Sequence, residues 1–582
     1  MTGYRHRLSL YVANAFFLLI LCAPLESQSG APVAQSSDQV SSGSQTSPQP
    51  QASAQEKQAT ASETIPVLRT TTRLVVVDVV ALNDQDKPVT DLEARDFKVL
   101  EEGKPQEVRV FSFQHPTVGV ASESRPKLPS NEFTNSPSYR VNSSFNVILL
   151  DGLNTRFEDM AYAHQQLLKF LKNMPSEQPV AIYALEGDKV RLLQDFTTDA
   201  GALRAAAAKF RGQNSLLLSR ETGGGAGRLA GAIQRVEQDR LRFRVEYTVA
   251  ALGYIAQTLS GYPGRKNLIW ISSSFPFDVN PNFQVVGSFD RQSHDVEIAR
   301  AADALINSQV AIYPVDPRGL TTSEVFSASN SGRDSSGRAL SGQGLQAALS
   351  QESSTLLAEH STMNEMAGRT GGRSFYNRND VAASIRQSID DGSTYYTLGY
   401  YPENKKWDGK FRKIQVKVSR PGIKLRYRLG YYAVDPQPRR ESDPKKQDFT
   451  FIQSLNFELP VSTSVLFKAG VFPRSSQTQN RVPVYFRIDP RAVSLEQQAD
   501  GSQHGRVHCG VRAYSQGGKP LRLQLGSMEY NLKPESFQQM MQSGFPCQFS
   551  LDLPSGSYLL RLGVMDNRSG LIGTTNAKVT VQ

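Results

Sequence analysis

The chain has 582 residues, of which 65 are Lys or Arg and 55 are Asp or Glu, so its formal net charge is +10 at pH 7. This length exceeds what one hydrophobic core supports and predicts roughly three or four domains of about 100–200 residues each. Basic and acidic residues are spread along the chain without a dense basic run. The sequence therefore predicts no nucleic-acid partner.

The N-terminus has the pattern of an export signal. A basic start at Arg5–Arg7 precedes an apolar stretch, residues 8–23, which is shorter than the roughly 20 residues that a membrane-spanning helix needs. We expect a signal peptide, residues 1–27, a secreted or periplasmic, envelope-associated protein, and no integral membrane span in the mature chain. An uncleaved anchor and lipidation of Cys22 stay open as alternatives. The Ser-, Gln- and Ala-rich residues 28–64 predict a disordered linker.

The next region combines β and α/β patterns. Residues 65–115 predict an N-terminal β unit whose two or three strands need a partner sheet, and residues 115–143 predict a polar loop. Strands and helices alternate in residues 142–392, which predicts an α/β domain with a doubly wound, mostly parallel sheet. Its predicted strands are 145–150, 180–185, 190–196, 267–272, 310–316 and 373–377, and its predicted helices are 156–173, 199–210, 228–260, 293–308, 351–368 and 380–391.

Two further β regions complete the chain. Residues 393–435 predict a strand extension rich in Tyr, Val and Ile, and we expect it to pair with residues 65–115, so that the α/β domain is an insertion. Residues 450–582 contain short strand-like runs between turns and predict a C-terminal β-sandwich of immunoglobulin-like architecture. Cys509 and Cys547 lie in two of these runs. A disulfide and a pair of buried thiols both stay open.

The strongest functional signal is the segment Asp151-Gly-Leu-Asn-Thr155, which follows the apolar strand 145–150. A strand that ends in an aspartate and leads into a helix places the carboxylate at the carboxyl edge of an α/β sheet, where ligands bind. The 212–228 loop and three serines after strand 267–272 are expected at the same edge. The predicted ligand-binding edge consists of Asp151, Asn154, Thr155, Thr222, Ser272, Ser273 and Ser274.

Five phrases in the chain carry a family resemblance. They are DGLNT (151–155), GRKNLIWISSSFP (264–276), VAIYPVDPRGL (310–320), MAGRTGGRSFYN (366–377) and the run from YYTLGYYPENKK to LRYRLGYY (395–432). In this order they resemble the von Willebrand factor A-related family of acidobacterial secreted proteins, over roughly residues 65–435. The resemblance implies a von Willebrand A-like fold that often carries a metal-ion-dependent adhesion site at the carboxyl edge of its sheet.

Such a site combines an Asp-x-Ser-x-Ser loop, a Thr from a second loop and an Asp from a third, because Mg²⁺ prefers hard oxygen ligands. Asp151 and Thr155 match the first loop, whereas Leu153 stands at its middle Ser position. Thr222 is the candidate from the second loop. In the third loop, serines stand where the Asp is expected, and Asp278 follows further along.

The sequence leaves two interpretations of this site. In the first, Asp151 and Thr155 hold Mg²⁺ or another divalent cation. In the second, the site is degenerate: Thr155 and Glu158 form a capping box at the start of the helix, and backbone donors hold Asp151.

Catalytic signals are weak elsewhere. His504, His508 and Cys509 are close in sequence, but neighbouring strand residues point to opposite faces, which favours structural roles. No nucleophile elbow, HExxH pattern or dinucleotide-binding loop occurs. We therefore predict a non-enzymatic adhesion or scaffold protein with a protein or glycan partner. The alternative is an exported hydrolase or maturation factor with unrecognised catalytic residues.

Overall fold

The computed structural model describes residues 74–115, 128–137, 144–174, 178–211, 230–275, 301–320, 342–433, 444–472 and 481–581. The predicted signal peptide and linker, the 212–228 loop with Thr222, and Asp278 lie outside these ranges. All described elements belong to one unit, Thr71–Gln582. No helix within the described ranges is both long enough and apolar enough to cross a membrane.

The chain is a mixed α/β protein. Its helices are α1 (Phe157–Lys172), α2 (Ala200–Lys209), α3 (Ala230–Leu259), α4 (Gly342–Thr370), α5 (Val381–Asp391), α6 (Pro444–Ser454) and α7 (Pro534–Ser543), and residues 301–307 are also helical. The first strands are β1 (Val75–Leu82), β2 (Phe97–Glu101), β3 (Lys104–Gln106), β4 (Val108–Gln114), β5 (Glu132–Thr134), β6 (Phe145–Asp151), β7 (Val180–Glu186), β8 (Lys189–Thr197), β9 (Lys266–Ile271), β10 (Val310–Val315) and β11 (Tyr395–Tyr400). The others are β12 (Phe411–Val418), β13 (Lys424–Arg426), β14 (Gly430–Tyr432), β15 (Phe467–Val471), β16 (Arg481–Ile488), β17 (Glu496–Gln497), β18 (Gln503–Ser515), β19 (Pro520–Leu532), β20 (Phe545–Asp552), β21 (Gly556–Asp566) and β22 (Ile572–Val581).

The central sheet has the strand order β10-β9-β6-β7-β8. The first four strands run parallel, and β8 is antiparallel to β7. Alternate residues of β6 enter two different hydrophobic clusters. Val147 and Leu149 pack with residues of α3 and α4, whereas Ile148 and Leu150 pack with residues of α1, α2 and α5. Helices therefore contact both faces, which explains why all seven residues of β6 are buried.

The N-terminal β unit and the strand extension form two shared antiparallel sheets, with the orders β13-β1-β11-β4 and β14-β12-β2-β3. The α/β region is thus an insertion between strands that pair with each other, as expected. One polar network lies inside this β unit. The buried Glu101 accepts hydrogen bonds from the hydroxyls of Tyr400 (2.8 Å) and Tyr431 (3.0 Å), and Arg412 lies 3.4 Å from its carboxylate.

The C-terminal region contains two packed sheets, one with the order β20-β16-β15-β5 and the other formed by β17, β18, β19, β21 and β22. Their facing side chains make one hydrophobic cluster. Cys509 on β18 and Cys547 on β20 form a disulfide that joins the two sheets, with a Cα–Cα distance of 6.8 Å. Strand β5 comes from the predicted 115–143 loop. That prediction is wrong for residues 132–134, because tertiary pairing with β15 outweighs their polar surroundings.

Other sequence predictions also differ from the structure. The predicted strand 373–377 is reduced to a single bridge between Phe375 and Val315. Helix α4 begins nine residues before the predicted start, and α6 and α7 lie in or beside a region predicted as all-β. Strand β19 was not predicted, although its segment Leu-Arg-Leu-Gln-Leu alternates with the period of a strand.

Candidate functional site

The predicted edge is assembled from two neighbouring strands. Strand β6 ends at Asp151 and β9 ends at Ile271, and the two strands are parallel and directly paired. Their carboxyl ends therefore bring the 151–155 and 272–274 segments together. The amide of Ser273 donates to Oγ1 of Thr155 at 3.3 Å, which is a direct contact between the two segments.

Asp151 is enclosed by protein donors. Its Oδ1 accepts hydrogen bonds from the amides of Leu153 (3.1 Å) and Asn154 (2.9 Å). Its Oδ2 accepts from Nδ2 of Asn154 (2.9 Å) and from the indole Nε1 of Trp270 (2.8 Å). The side chain is 0% exposed. Burial raises the pKa of Asp151, and the hydrogen bonds from Asn154 and Trp270 oppose that rise.

Arg244 of helix α3 connects the two segments. Its Nε donates to Oδ1 of Asn154 at 3.0 Å, and its Nη2 donates to Oγ of Ser274 at 3.0 Å. The remaining amide hydrogen of Asn154 is donated to Oγ1 of Thr248 at 2.9 Å. A guanidinium presents several donors in a fixed plane, so this one side chain links the two loops.

The capping box predicted at Thr155 and Glu158 is not formed. The N-cap residue of α1 is Arg156, and no side chain caps this helix. Thr155 instead accepts the hydrogen bond from Ser273, and the Arg156 amide donates to Oγ of Ser273 at 3.3 Å. The contact with the neighbouring loop replaces the local cap because the parallel pairing of β6 and β9 places Ser273 against the start of the helix.

Most residues of the predicted edge are buried. Asp151, Asn154, Thr155, Ser272 and Ser273 are all 4% exposed or less, whereas Ser274 is half-buried. Large apolar side chains are exposed in the segments that follow the strands: Phe157 at the start of α1 is 53% exposed, and Leu320 in the loop after β10 is 68% exposed. Asn379 links that loop to α1, because its side chain accepts from the Leu320 amide at 2.8 Å and its carbonyl accepts from the hydroxyl of Tyr162. The solvent-exposed surface at this edge is therefore formed mainly by residues outside the Asp151–Thr155 segment.

The side-chain oxygens of the described residues at this edge do not fit the magnesium site that the resemblance implies. Both carboxylate oxygens of Asp151 accept two hydrogen bonds each, and Ser272 Oγ donates to the carbonyl of Ser274 at 2.8 Å. Leu153 offers no oxygen. No group of three or more His, Cys, Asp or Glu side chains in the described ranges has an arrangement suited to a metal ion.

A second polar cluster follows β10 at the same edge of the sheet. Arg318 forms a two-pronged contact with the buried Asp316 at 2.8–3.1 Å and lies 2.8 Å from Glu359. Burial raises the pKa of Asp316, but hydrogen bonds from His360 and Arg318 outweigh this effect and lower the pKa overall. These contacts give the phrase VAIYPVDPRGL a structural function, since Asp316 and Arg318 tie the loop after β10 to helix α4.

The residues His504, His508 and Cys509, which are close in sequence, do not form one cluster. His504 is 2.8 Å from Glu529, His508 is 3.6 Å from Asp448, and Cys509 belongs to the disulfide. The three side chains have different partners and share no ligand position. This agrees with the structural roles favoured by the strand alternation.

Sequence reasoning missed Trp270 and Arg244, the two donors that close the edge. Trp270 carries a weak signal, because a tryptophan inside a buried strand needs a partner for its indole N–H. Arg244 carries none, since it lies among charged residues of α3 that resemble a solvated helix face. Only the packing of α3 against the sheet brings its side chain to Asn154 and Ser274.

Comparisons with known proteins give weak likenesses. No protein-family model matches the chain, and no curated protein matches it either. Similar solved structures include the SpRpn10 VWA domain (15% identity, 30% of this chain and 75% of that chain, TM-score 0.16) and the TFIIH p34 N-terminal domain (11%, 42% and 95%, TM-score 0.20). The pilus adhesin SpaC from Lactobacillus rhamnosus GG, in its open conformation, has 9% identity, with 86% of this chain and 61% of that chain covered and a TM-score of 0.23. With TM-scores this low, the likeness to von Willebrand A domains carries no argument about function.

Proposed function

We propose that this chain is an exported or envelope-associated interaction protein, an adhesin or scaffold, whose von Willebrand A-like domain has a doubly wound sheet and a degenerate adhesion site. The observation that supports the proposal is the closure of the carboxyl edge by protein donors, with Trp270 bound to Asp151 and Arg244 bound to Asn154 and Ser274. The edge is then a preformed platform that needs no metal ion. We assign no catalytic step to it.

On this proposal the partner, a protein or a glycan, contacts the exposed rim around the buried network. Phe157 and Leu320 are the described apolar side chains at this rim that are more than half exposed. Large apolar side chains contribute to the binding free energy where they become buried against a partner, because their surface is removed from water. The motif residues beneath them fix the positions of the loops, so the motif contributes to recognition indirectly.

The test is crosslinking and pull-down from native envelope fractions with wild type and the double variant Phe157→Ser, Leu320→Ser. A matched control replaces Phe449, which is 63% exposed on helix α6 in a different part of the chain, by serine. We expect one partner to be recovered by wild type and by the control, and to be lost with the double variant. Equal recovery with all three proteins would show that the rim is not the recognition surface.

The metal-free part of the proposal is tested separately by calorimetry with Mg²⁺, Mn²⁺ and Ca²⁺. We expect no heat of binding, no change in melting temperature, and the same partner recovery with and without a chelator. A saturable heat that disappears in Asp151→Asn would instead establish a divalent-cation site at this edge. Turnover of peptide, glycan or ester substrates that depends on one His or Ser would support the hydrolase alternative.

A further inference from the structure

The positive charge of this protein is concentrated in one short segment. Residues 404–430 contain ten Lys or Arg and one Asp, whereas the whole chain has a net charge of +10. The sequence-based expectation that the charge is spread along the chain is therefore wrong for this segment. The segment shows no continuous basic run, because apolar residues separate the basic ones.

About half of these basic residues have partners within the chain. Arg412 lies in the buried network around Glu101, Arg420 is 2.7 Å from Asp91, and Arg426 pairs with Asp391. Lys424 and Lys410 lie 3.8 and 4.0 Å from Asp84 and Asp408. These pairs explain part of the charge as structural.

Two lysines of this segment, Lys413 and Lys417, share one face of the sheet β14-β12-β2-β3 with Lys98 from the N-terminal β unit. In β12 the buried Arg412, Ile414 and Val416 alternate with exposed residues that include Lys413 and Lys417. Lys98 of β2 is exposed and directly opposite Lys417. Among the described residues, no carboxylate lies within 4 Å of the amino group of Lys98, Lys413 or Lys417. We call the outer surface formed by Lys98, Phe411, Lys413, Gln415 and Lys417 the basic face.

Fold stability does not explain the basic face. Like charges directly opposite each other on paired strands are destabilising. Strands β12 and β2 are inner strands of their sheet, and their outer neighbours pair with residues 411–413 of β12 and 99–101 of β2. Glu102 lies at one end of the face, where its carboxylate accepts a hydrogen bond from the backbone amide of Lys413. An external anion would relieve the repulsion between Lys98 and Lys417.

We propose that the basic face binds a linear acidic polysaccharide. Lys413 and Lys417 are four residues apart on a strand, a separation of about 13 Å, and Gln415 lies between them with amide groups that can pair with sugar hydroxyls. Phe411, 37% exposed, offers a ring at the end of the same face, where it packs against Tyr432 and under Arg369. Two cationic side chains with a neutral amide between them match a chain of acidic sugars, which carries both carboxylates and hydroxyls. They match a continuous phosphate backbone less well.

The test measures binding of polygalacturonate, a linear polyuronate, by calorimetry at several salt concentrations. The triple variant Lys98→Gln, Lys413→Gln, Lys417→Gln is compared with a control of the same charge change, Lys519→Gln, Lys533→Gln, Lys578→Gln, whose lysines are exposed on the C-terminal sandwich. We expect wild type and the control to bind equally, and the basic-face variant to bind at least about tenfold more weakly with a smaller salt dependence.

Each other outcome contradicts the proposal. Equal weakening in both triple variants would assign binding to net charge. Equal binding of methyl-esterified polygalacturonate, which lacks the carboxylates, would remove the electrostatic basis. Binding of phosphatidylglycerol vesicles, single-stranded DNA or polyglutamate in preference to polygalacturonate would assign the face to another class of anion. Melting curves of all variants verify that the fold is retained, and this test does not depend on the carboxyl edge of the α/β sheet.

Discussion

The carboxyl edge of the α/β sheet and the basic face of the β unit differ in how their polar groups are satisfied. At the edge, Asp151 is buried and accepts four hydrogen bonds from the protein. On the basic face, Lys98 and Lys417 are exposed and face each other as like charges. A conspicuous motif can thus serve the fold, whereas a surface suited to a partner can lack any motif.

The largest expected effect is at the edge. Replacing Asp151 by alanine leaves the indole of Trp270, the side chain of Asn154 and two amides without their acceptor. Unpaired buried donors of this kind cost about 1–3 kcal/mol each, and partial relaxation limits the total to roughly 3–5 kcal/mol. Denaturant unfolding followed by fluorescence measures the change. Asp188→Ala, at an exposed turn, is the control, and a similar loss in both variants would contradict the structural role of Asp151.

One lysine of this protein is buried, in contrast to the exposed lysines of the basic face. Lys266, 1% exposed, donates to the carbonyls of Tyr262 (2.7 Å) and Gly264 (2.8 Å). Burial lowers the pKa of its amino group to about 7 in the folded protein, while Asp78 opposes this shift.

Because the unfolded state binds more protons than the folded state above pH 7, the free energy of unfolding should rise by roughly 2 kcal/mol between pH 7 and pH 9. Well below pH 7 both states are protonated, so this contribution no longer varies with pH. Unfolding experiments at several pH values measure it as the difference between wild type and Lys266→Met. Lys417→Met should keep the wild-type slope. A slope that persists in Lys266→Met would show that another group titrates.

The order of strands and helices in the α/β region was predictable from the sequence. Strands β6, β7 and β9 are continuous apolar runs and α1 is amphipathic, so their bounds lie within one or two residues of the prediction. The pairing of the N-terminal β unit with the strand extension was also predictable, since neither unit has enough strands alone. Strand β5 was not, because this three-residue segment of a long polar loop acquires its conformation from pairing with β15.

The candidate site was predictable in position but not in chemistry. The Asp151 segment and the three serines lie at one edge because parallel strands end there. Their burial and the contacts of Arg244 depend on the packing of α3, which local patterns do not encode. The unpaired lysines of the basic face required the register of β12 with β2, since Lys98 and Lys417 are more than 300 residues apart in the sequence.

A smaller effect is expected when one donor to Asp151 is removed. Trp270→Phe keeps an aromatic ring in the core but deletes the 2.8 Å hydrogen bond to Oδ2, which should cost about 1–2 kcal/mol. In the Asp151→Ala background the same substitution should cost much less, because the indole has already lost its acceptor. Unfolding of the two single variants and the double variant measures this coupling. Additive costs would mean that Trp270 stabilises the protein through packing alone.

The smallest expected effect has the opposite sign and belongs to the basic face. Lys98→Gln removes the repulsion with Lys417 directly across the strand pair, so it should raise the free energy of unfolding by a few tenths of a kcal/mol at low salt. In about 1 M salt the screening length falls to about 3 Å, and the gain should disappear. The control is Lys578→Gln, at an exposed position of strand β22. It changes the net charge equally and should give no such gain. An equal gain from both substitutions would attribute the effect to overall charge, and the argument for an anion that relieves the Lys98–Lys417 pair would lose its basis.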